Sequence, residues 1–170
     1  MDVLESQRLR LRPAEPDDLP NLLAAYLSYP DLVAQNEGSR GEAGYYDLAM
    51  MQRDWQIAQI TPGRHTLAID LKATGKTVGM ADFLEEKSDD GFPWLGQILI
   101  HRASAGQGLG AETYQRLEKY FRQEYGWQRL RASVRTSNMQ GLAFLRRMGF
   151  ELILPEQEPD AEFVILEQQL

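Results

Sequence analysis

Between Ala105 and Ala111 the chain runs Ala-Gly-Gln-Gly-Leu-Gly-Ala, which places Gly106, Gly108 and Gly110 at alternate positions. Glycine admits positive φ and lets the main chain approach a ligand closely. An apolar segment, Trp94 to Ile100, leads into this loop, and a helical pattern starts at Gly108. The first amides of a helix have no partner within it and carry the positive end of its dipole. Such a loop can hold a phosphate or diphosphate on backbone groups alone. The alternative is a turn whose glycines only bend and cap the chain. On the loop by itself the two readings stand level.

Two other phosphate patterns fit the residues less well. Gly106-x-Gly108-x-x-Ala111 satisfies the dinucleotide fingerprint, which should open a βαβ unit and meet an acid about 20 residues on. The chain there reads Arg129-Leu130-Arg131-Ala132, and too little sequence follows for a doubly wound sheet. A nicotinamide-dependent oxidoreductase is therefore disfavoured. Gly75-Lys76-Thr77 imitates the end of a P-loop, but Asp70 stands where the earlier glycine is required and the surroundings read as a hairpin. A further stretch, Asn138 to Phe150, reads Asn-Met-Gln-Gly-Leu-Ala-Phe-Leu-Arg-Arg-Met-Gly-Phe. Taken alone it is a capped amphipathic helix.

The elements that must position these residues follow from periodicity and punctuation. Arg8 to Arg12 alternates arginine and leucine as a half-buried strand does, and Pro13 ends it. Asp17 and Asp18 sit at a helix start ahead of Leu19, Leu22, Leu23, Tyr26 and Leu27, and Pro30 closes that helix. Gln35 to Gly44 reads as a loop, and Tyr46 to Ile60 as a second helix. His65 to Leu71 and Thr77 to Leu84 form a hairpin, and Trp94 to Ile100 is a doubly covered central strand. A helix follows from Gly108 to Tyr125, with Gly126 as its left-handed cap. Leu130 to Val134 is a strand, and Ser137 or Asn138 caps a short helix ended by Gly149. Phe150 to Leu154 and Phe163 to Leu166 are the last strands. The fold class is α+β, an α/β mixed sheet, in one domain spanning residues 1–170.

Composition bounds the chemistry further. With 170 residues, 43% hydrophobic and 25% charged, the chain can bury a core unaided. It has no cysteine, which excludes a cysteine nucleophile and a thiolate zinc site. Two separated histidines, His65 and His101, argue for no metal. A net charge of -7 disfavours a nucleic-acid partner. The apolar runs are too short for a membrane span or a signal peptide, so no membrane partner and a cytoplasmic location are expected.

Together the two constellations resemble the GCN5-related N-acetyltransferase (GNAT) superfamily. That family's diphosphate loop, Gln/Arg-x-x-Gly-x-Gly/Ala after an apolar strand, is similar to Ile98-Leu99-Ile100 followed by Gly108-Leu109-Gly110. Its downstream Asn, small residue, aromatic and Gly-Phe are similar to Asn138, Gly141, Phe144 and Gly149-Phe150. Arg8 to Pro13 looks like the family's opening strand. The family's Gln/Arg falls on Ala105, and the tyrosine that often protonates the departing sulfur falls on Leu145.

The resemblance implies a mostly antiparallel central sheet of about seven strands flanked by about four helices. It implies acetyl-CoA as co-substrate, no metal, and acetyl transfer to a primary amine of a small molecule or peptide. Ile98, Leu99 and Ile100 would pair with the pantetheine arm, and an N–H near Leu99 would stabilise the oxyanion. Gly106, Gln107, Gly108, Leu109, Gly110 and Ala111 would hold the diphosphate, Asn138 and Phe144 would meet the pantetheine, and Arg147 a phosphate. Without cysteine, direct attack in a ternary complex is simpler than an acyl-enzyme. Asp82, Glu85 and Glu86 read as solvated edge charges, no catalytic residue is assigned, and Gln97 can orient but not abstract a proton. The alternative is a non-catalytic acyl-CoA-binding module of the same fold. A homodimer is compatible with either.

Overall fold

The computed structural model describes residues 1–37, 45–153 and 162–170. In chain order the elements are β1 (Leu4–Glu5), β2 (Leu9–Pro13), α1 (Leu19–Leu27), α2 (Pro30–Glu37), α3 (Leu48–Ile60), β3 (Arg64–Leu71), β4 (Thr77–Leu84), β5 (Trp94–Ile100), α4 (Leu109–Tyr120), β6 (Arg129–Arg135), α5 (Met139–Arg147), β7 (Glu151–Leu152) and β8 (Phe163–Gln169). The strands form one sheet in the order β1-β2-β3-β4-β5-β6-β8-β7. β1 with β2, β2 with β3, β6 with β8 and β7 with β8 pair antiparallel, while β5 with β6 is parallel. The mixed, mostly antiparallel sheet expected from sequence is thus present.

Two elements exceed the expectation. β1 has two residues, too few for alternation to show. Pro30 does close α1, but it also opens α2, because proline's fixed φ and missing N–H suit a first helical turn. Gln35 to Glu37 therefore belong to α2 rather than to a loop; the rest of that expected loop, 38–44, lies outside the described residues. The strand expected at Phe150 to Leu154 shrinks to β7, and Leu154 is also outside. α4 continues as a wider π-helical turn over Phe121–Tyr125, and Gly126 ends it at φ 64° as anticipated. No helix among the described residues is long and apolar enough to cross a membrane.

The chain forms two compact units, residues 1–82 with 97–116, and residues 83–96 with 117–170. In the first, Leu19, Leu22, Ala25 and Tyr26 of α1, Val33 of α2 and Met51 of α3 pack with Ala68, Met80 and Leu99 from the strands. Arg12 is clamped between Asp18 at 2.7 Å and Asp70 at 2.8 Å, and Thr77 donates to Asp70 at 2.7 Å. In the second, Phe83 and Phe121 are fully buried with ring centroids 4.8 Å apart, and Trp127 stacks on Tyr125 at 4.5 Å. Arg131 bridges Asp90 at 2.9 Å and Glu167 at 3.0 Å.

Burial alone would raise the Asp18 carboxyl, but the Arg12 bonds and the Glu15 N–H overrule it and hold its pKa below the ordinary value of 3.8. A lowered folded pKa contributes stability above the unfolded value that is lost as pH falls through the folded one. Asp18→Asn should therefore cost about 2 kcal/mol at pH 7, a buried pair's cost discounted for the partial exposure of Arg12. The gap to wild type should begin to narrow as pH falls below about 3.9, the unfolded carboxyl's pKa, and should close only once pH is below the lowered folded value, as urea unfolding at pH 7 and at a series of acidic pH values would show. Removing the aromatic centre of the second unit with Phe121→Ala should cost about 3–5 kcal/mol at any pH, by the same measurement.

Candidate functional site

β5 ends at Ile100, and a single 3-10 turn, Arg102–Ser104, carries the chain into the glycine loop. Gly106 and Gly108 both adopt φ 78°, while Gly110, already inside α4, does not need a positive value. The space a side chain would fill at Gly106 is open. Ala105 to Gly108 are exposed, and Leu109, 3% exposed, anchors the start of α4. No main-chain N–H from Gly106 to Ala111 donates a hydrogen bond among the described residues; the first helical bond runs from Glu112 N to Gly108 O at 3.0 Å. The loop therefore presents a row of unpaired donors to solvent, which is the chemistry that holds an anion.

Two side chains brace it. Glu112 accepts from Ser6 Oγ at 2.7 Å and from the Arg8 N–H at 2.7 Å, and it pairs with Arg8 Nε at 2.6 Å. Burial would raise this carboxyl, but the Arg8 N–H, Ser6 and the Arg8 guanidinium together hold it below the ordinary carboxylate range. Arg8 Nη1 also donates to the Gln107 carbonyl at 2.9 Å. From sequence Arg8 is one of several strand arginines, and nothing local marks it as a neighbour of the loop.

β5 itself is held unevenly. His101 N–H donates to Val78 O at 2.7 Å, and Gly79 brings β4 so close that an added Cβ would lie 2.2 Å from Leu99 O. Main-chain groups alternate edges along a strand. The Leu99 groups therefore serve β4, and those of Ile98 and Ile100 face the opposite edge. The parallel register with β6 takes in Trp94 and Leu95, opposite Arg131 and Ala132, and leaves Gly96 to Ile100 outside it. Ile100 O accepts from Tyr29 Oη at 2.8 Å.

Beside this strand lies a cavity of about 200 Å³. Tyr26 and Tyr46 meet edge to face at 5.1 Å on its wall. Tyr26 donates to Glu37 at 2.9 Å and Tyr46 to Asp54 at 2.8 Å. Burial first, then the Asp54 bond, keeps the Tyr46 phenol protonated at any ordinary pH. Asp82 lines the cavity, 6% exposed, accepting from Arg64 at 3.1 Å and Thr66 at 3.0 Å. The reading of Asp82 as a solvated edge charge is corrected. β4 is covered on both faces, so a carboxylate there is buried and paired. Glu86 is exposed as expected, and Glu85 is half-buried, accepting from Tyr125 Oη at 3.0 Å. Gln97 reaches the cavity from β5, and Leu99, on the same face two residues on, packs with Tyr26, Tyr46, Met51 and Met80, which wall it.

The sequence profile described as an acetyltransferase (GNAT) domain matches residues 8–151. The chain belongs to the GNAT acetyltransferase family. Its structure is similar to an acetyltransferase from Thermus thermophilus, 24% identical, with TM-score 0.76 over 96% of this chain and 97% of that one. It is also similar to the Salmonella typhimurium acetyltransferase that modifies the N-terminal serine of ribosomal protein L7/L12, 15% identical with TM-score 0.78, covering 99% of each chain. An L7/L12 α-N-acetyltransferase in complex with coenzyme A gives 14% identity and TM-score 0.77 over 99% of this chain and 98% of that one. Among curated proteins none matches the chain.

The GNAT positions fall in both units. Ile98 to Ile100 and Gly106 to Ala111 lie in the first; Asn138, Phe144 and Arg147 lie on α5 or its cap in the second. Asn138 Oδ1 accepts from Gly141 N–H at 2.9 Å, so the residue caps α5 as its spacing suggests. A Cβ on Gly141 would sit 2.7 Å from Asn138 Nδ2 and 2.9 Å from Val134 Cγ2, which explains the small residue there. Phe144 is half-buried and Arg147 exposed. Leu145, at the place of the family's tyrosine, is 7% exposed. The closest constraint on β5 is Gly79. Gly79→Ala should destabilise the chain by on the order of 3 kcal/mol, because the clash is with backbone that cannot yield, and thermal unfolding would read it.

Proposed function

We propose that the chain moves the acetyl group of acetyl-CoA to a primary amine of a small molecule or peptide, by direct attack within a ternary complex. The carrying observation is the row of unpaired amides from Gly106 to Ala111, opened by two glycines at φ 78°. A diphosphate fits such a row, and it is the chemically distinctive part of the co-substrate. The pantetheine arm is an amide chain, and the Ile98 and Ile100 groups on the edge of β5 away from β4 match it. In this proposal an N–H there polarises the thioester carbonyl and stabilises the oxyanion as it develops. The roles of Asn138, Phe144 and Arg147 belong to the same proposal.

The acceptor enters by the cavity that shares its walls with Leu99. A primary amine with pKa near 10.4 arrives protonated, so it must lose a proton before attack. Asp82, Asp54 and Glu37 face that cavity, and carboxylates can take the proton through water. The absence of cysteine supports direct attack over an acyl-enzyme.

A second reading has one specific support, the burial of Leu145 where the family often carries a proton donor. It is a module that binds acyl-CoA without turnover. Incubation with acetyl-CoA and an amine panel separates the two. Free thiol should be released with at least one amine, whereas thermal stabilisation without thiol release would establish the binding module. Gly108→Glu, which puts a carboxylate into the amide row, should weaken acetyl-CoA binding by about 100-fold while the fold survives. Unchanged affinity by calorimetry would remove the loop from the mechanism.

A further inference from the structure

Arg8 lies ninety-nine positions from Gln107, yet its guanidinium spans the loop's edge. Nε is committed to Glu112, and Nη1 holds the Gln107 carbonyl. Nη2 has no partner among the described residues and stands 3.6 Å from the vacant side-chain position of Gly108. The peptide unit is planar and trans, so its C=O and N–H point opposite ways. Fixing the Gln107 carbonyl toward Arg8 turns the Gly108 N–H to the other side, outward with the unpaired row.

The charges point the same way. Glu112 in the first turn suits the helix dipole, but its negative charge opposes an anion bound at those amides. Arg8 at 2.6 Å cancels that charge. Ala105, where a basic or amide side chain is commonplace in the family, has nothing to offer an anion.

We infer that Arg8 is the diphosphate site's positioning residue and supplies a side-chain cation at the glycine loop. It aims the Gly108 amide at the anion, neutralises Glu112 and offers Nη2 to a phosphate oxygen. This rests on the proposed acetyl-CoA site. The ligand chemistry is a diphosphate ester, not the 3′-phosphate or the thioester.

The test compares three probes by calorimetry or competition: acetyl-CoA, its 3′-dephospho form and S-acetylpantetheine, which lacks the diphosphate. Arg8→Gln should weaken both diphosphate probes by about tenfold or more, as loss of charge-assisted bonds implies, and leave S-acetylpantetheine unchanged. Arg8→Lys should recover part of the loss, and also covers the case in which Arg8→Gln does not fold. Arg10→Gln, at an exposed strand arginine paired with Glu5 and not with the loop, should stay within about threefold of wild type. Equal loss on all three probes, or an Arg10→Gln loss matching that of Arg8→Gln, would show that Arg8 acts only through the fold or the overall charge and overturn the inference. If Gly108→Glu abolishes binding while Arg8→Gln leaves it unchanged, the inference falls and the acetyl-CoA reading stands. If neither substitution matters, both fall.

Discussion

Within a few residues the chain must leave a strand, turn, and begin a helix whose first amides have no acceptor. That turn at Gly106 and Gly108 is the constraint on which the candidate site depends. Both glycines sit at φ 78°, where any side chain would be strained, and their vacant Cβ positions keep the amide row open. Leu109 and Thr113 hold the helix start from below: Leu109 is buried, and Thr113 Oγ1 donates to its carbonyl at 2.9 Å. The loop is thus rigid on its buried side and unsatisfied on its exposed one. Unsatisfied donors are costly when buried and cheap when wet, so leaving them at the surface is stable until an anion arrives.

How the net charge of -7 is accommodated follows from this arrangement. Attraction over many ångströms is screened within about 8 Å at physiological ionic strength, so overall charge says little about a contact made by amides. What matters is the charge within that distance. Glu112 is the adverse group, and its partners Arg8 and Ser6 absorb it. In the cavity wall the same logic runs in reverse. Asp82 is paired with Arg64, and Tyr26 and Tyr46 donate to Glu37 and Asp54, so each of these three carboxylates accepts a hydrogen bond.

What the sequence makes legible divides along the same line between local and distant causes. Gly106 and Gly108, the Asn138 cap and the Gly126 terminator are set by neighbours a few residues away, and their spacing shows them directly. Arg8 is not legible, because its role depends on residues about a hundred positions on, and a strand arginine is ordinarily solvated. Gly79 reads only as a weak point in a strand; its reason is the Leu99 carbonyl of another strand. Asp82 misleads because an acid on a strand reads as a solvated edge charge, and β4 has no solvated face there. Pro30 misleads in a different way, since one residue both ends α1 and starts α2.

Leu145 bears on whether a GNAT chain with this site turns over at all. A buried aliphatic side chain cannot protonate the departing sulfur. A thiol, however, has an unperturbed pKa of about 8.5, against about 10.4 for the ammonium that enters. Near neutral pH a thiolate is a competent leaving group, and the proton lost by the amine is the harder one to move. General acid catalysis contributes about 10²–10⁴-fold where it is used, and it contributes least where the leaving group is already stable as an anion. The developing oxyanion has no such intrinsic stability, so it must be met by a preorganised donor. In the proposed reaction that donor is a main-chain amide of β5, held in place by the close packing of Gly79 against Leu99. In that proposed reaction the rate would depend on backbone geometry and on the carboxylates of the cavity, and a tyrosine proton donor would be dispensable.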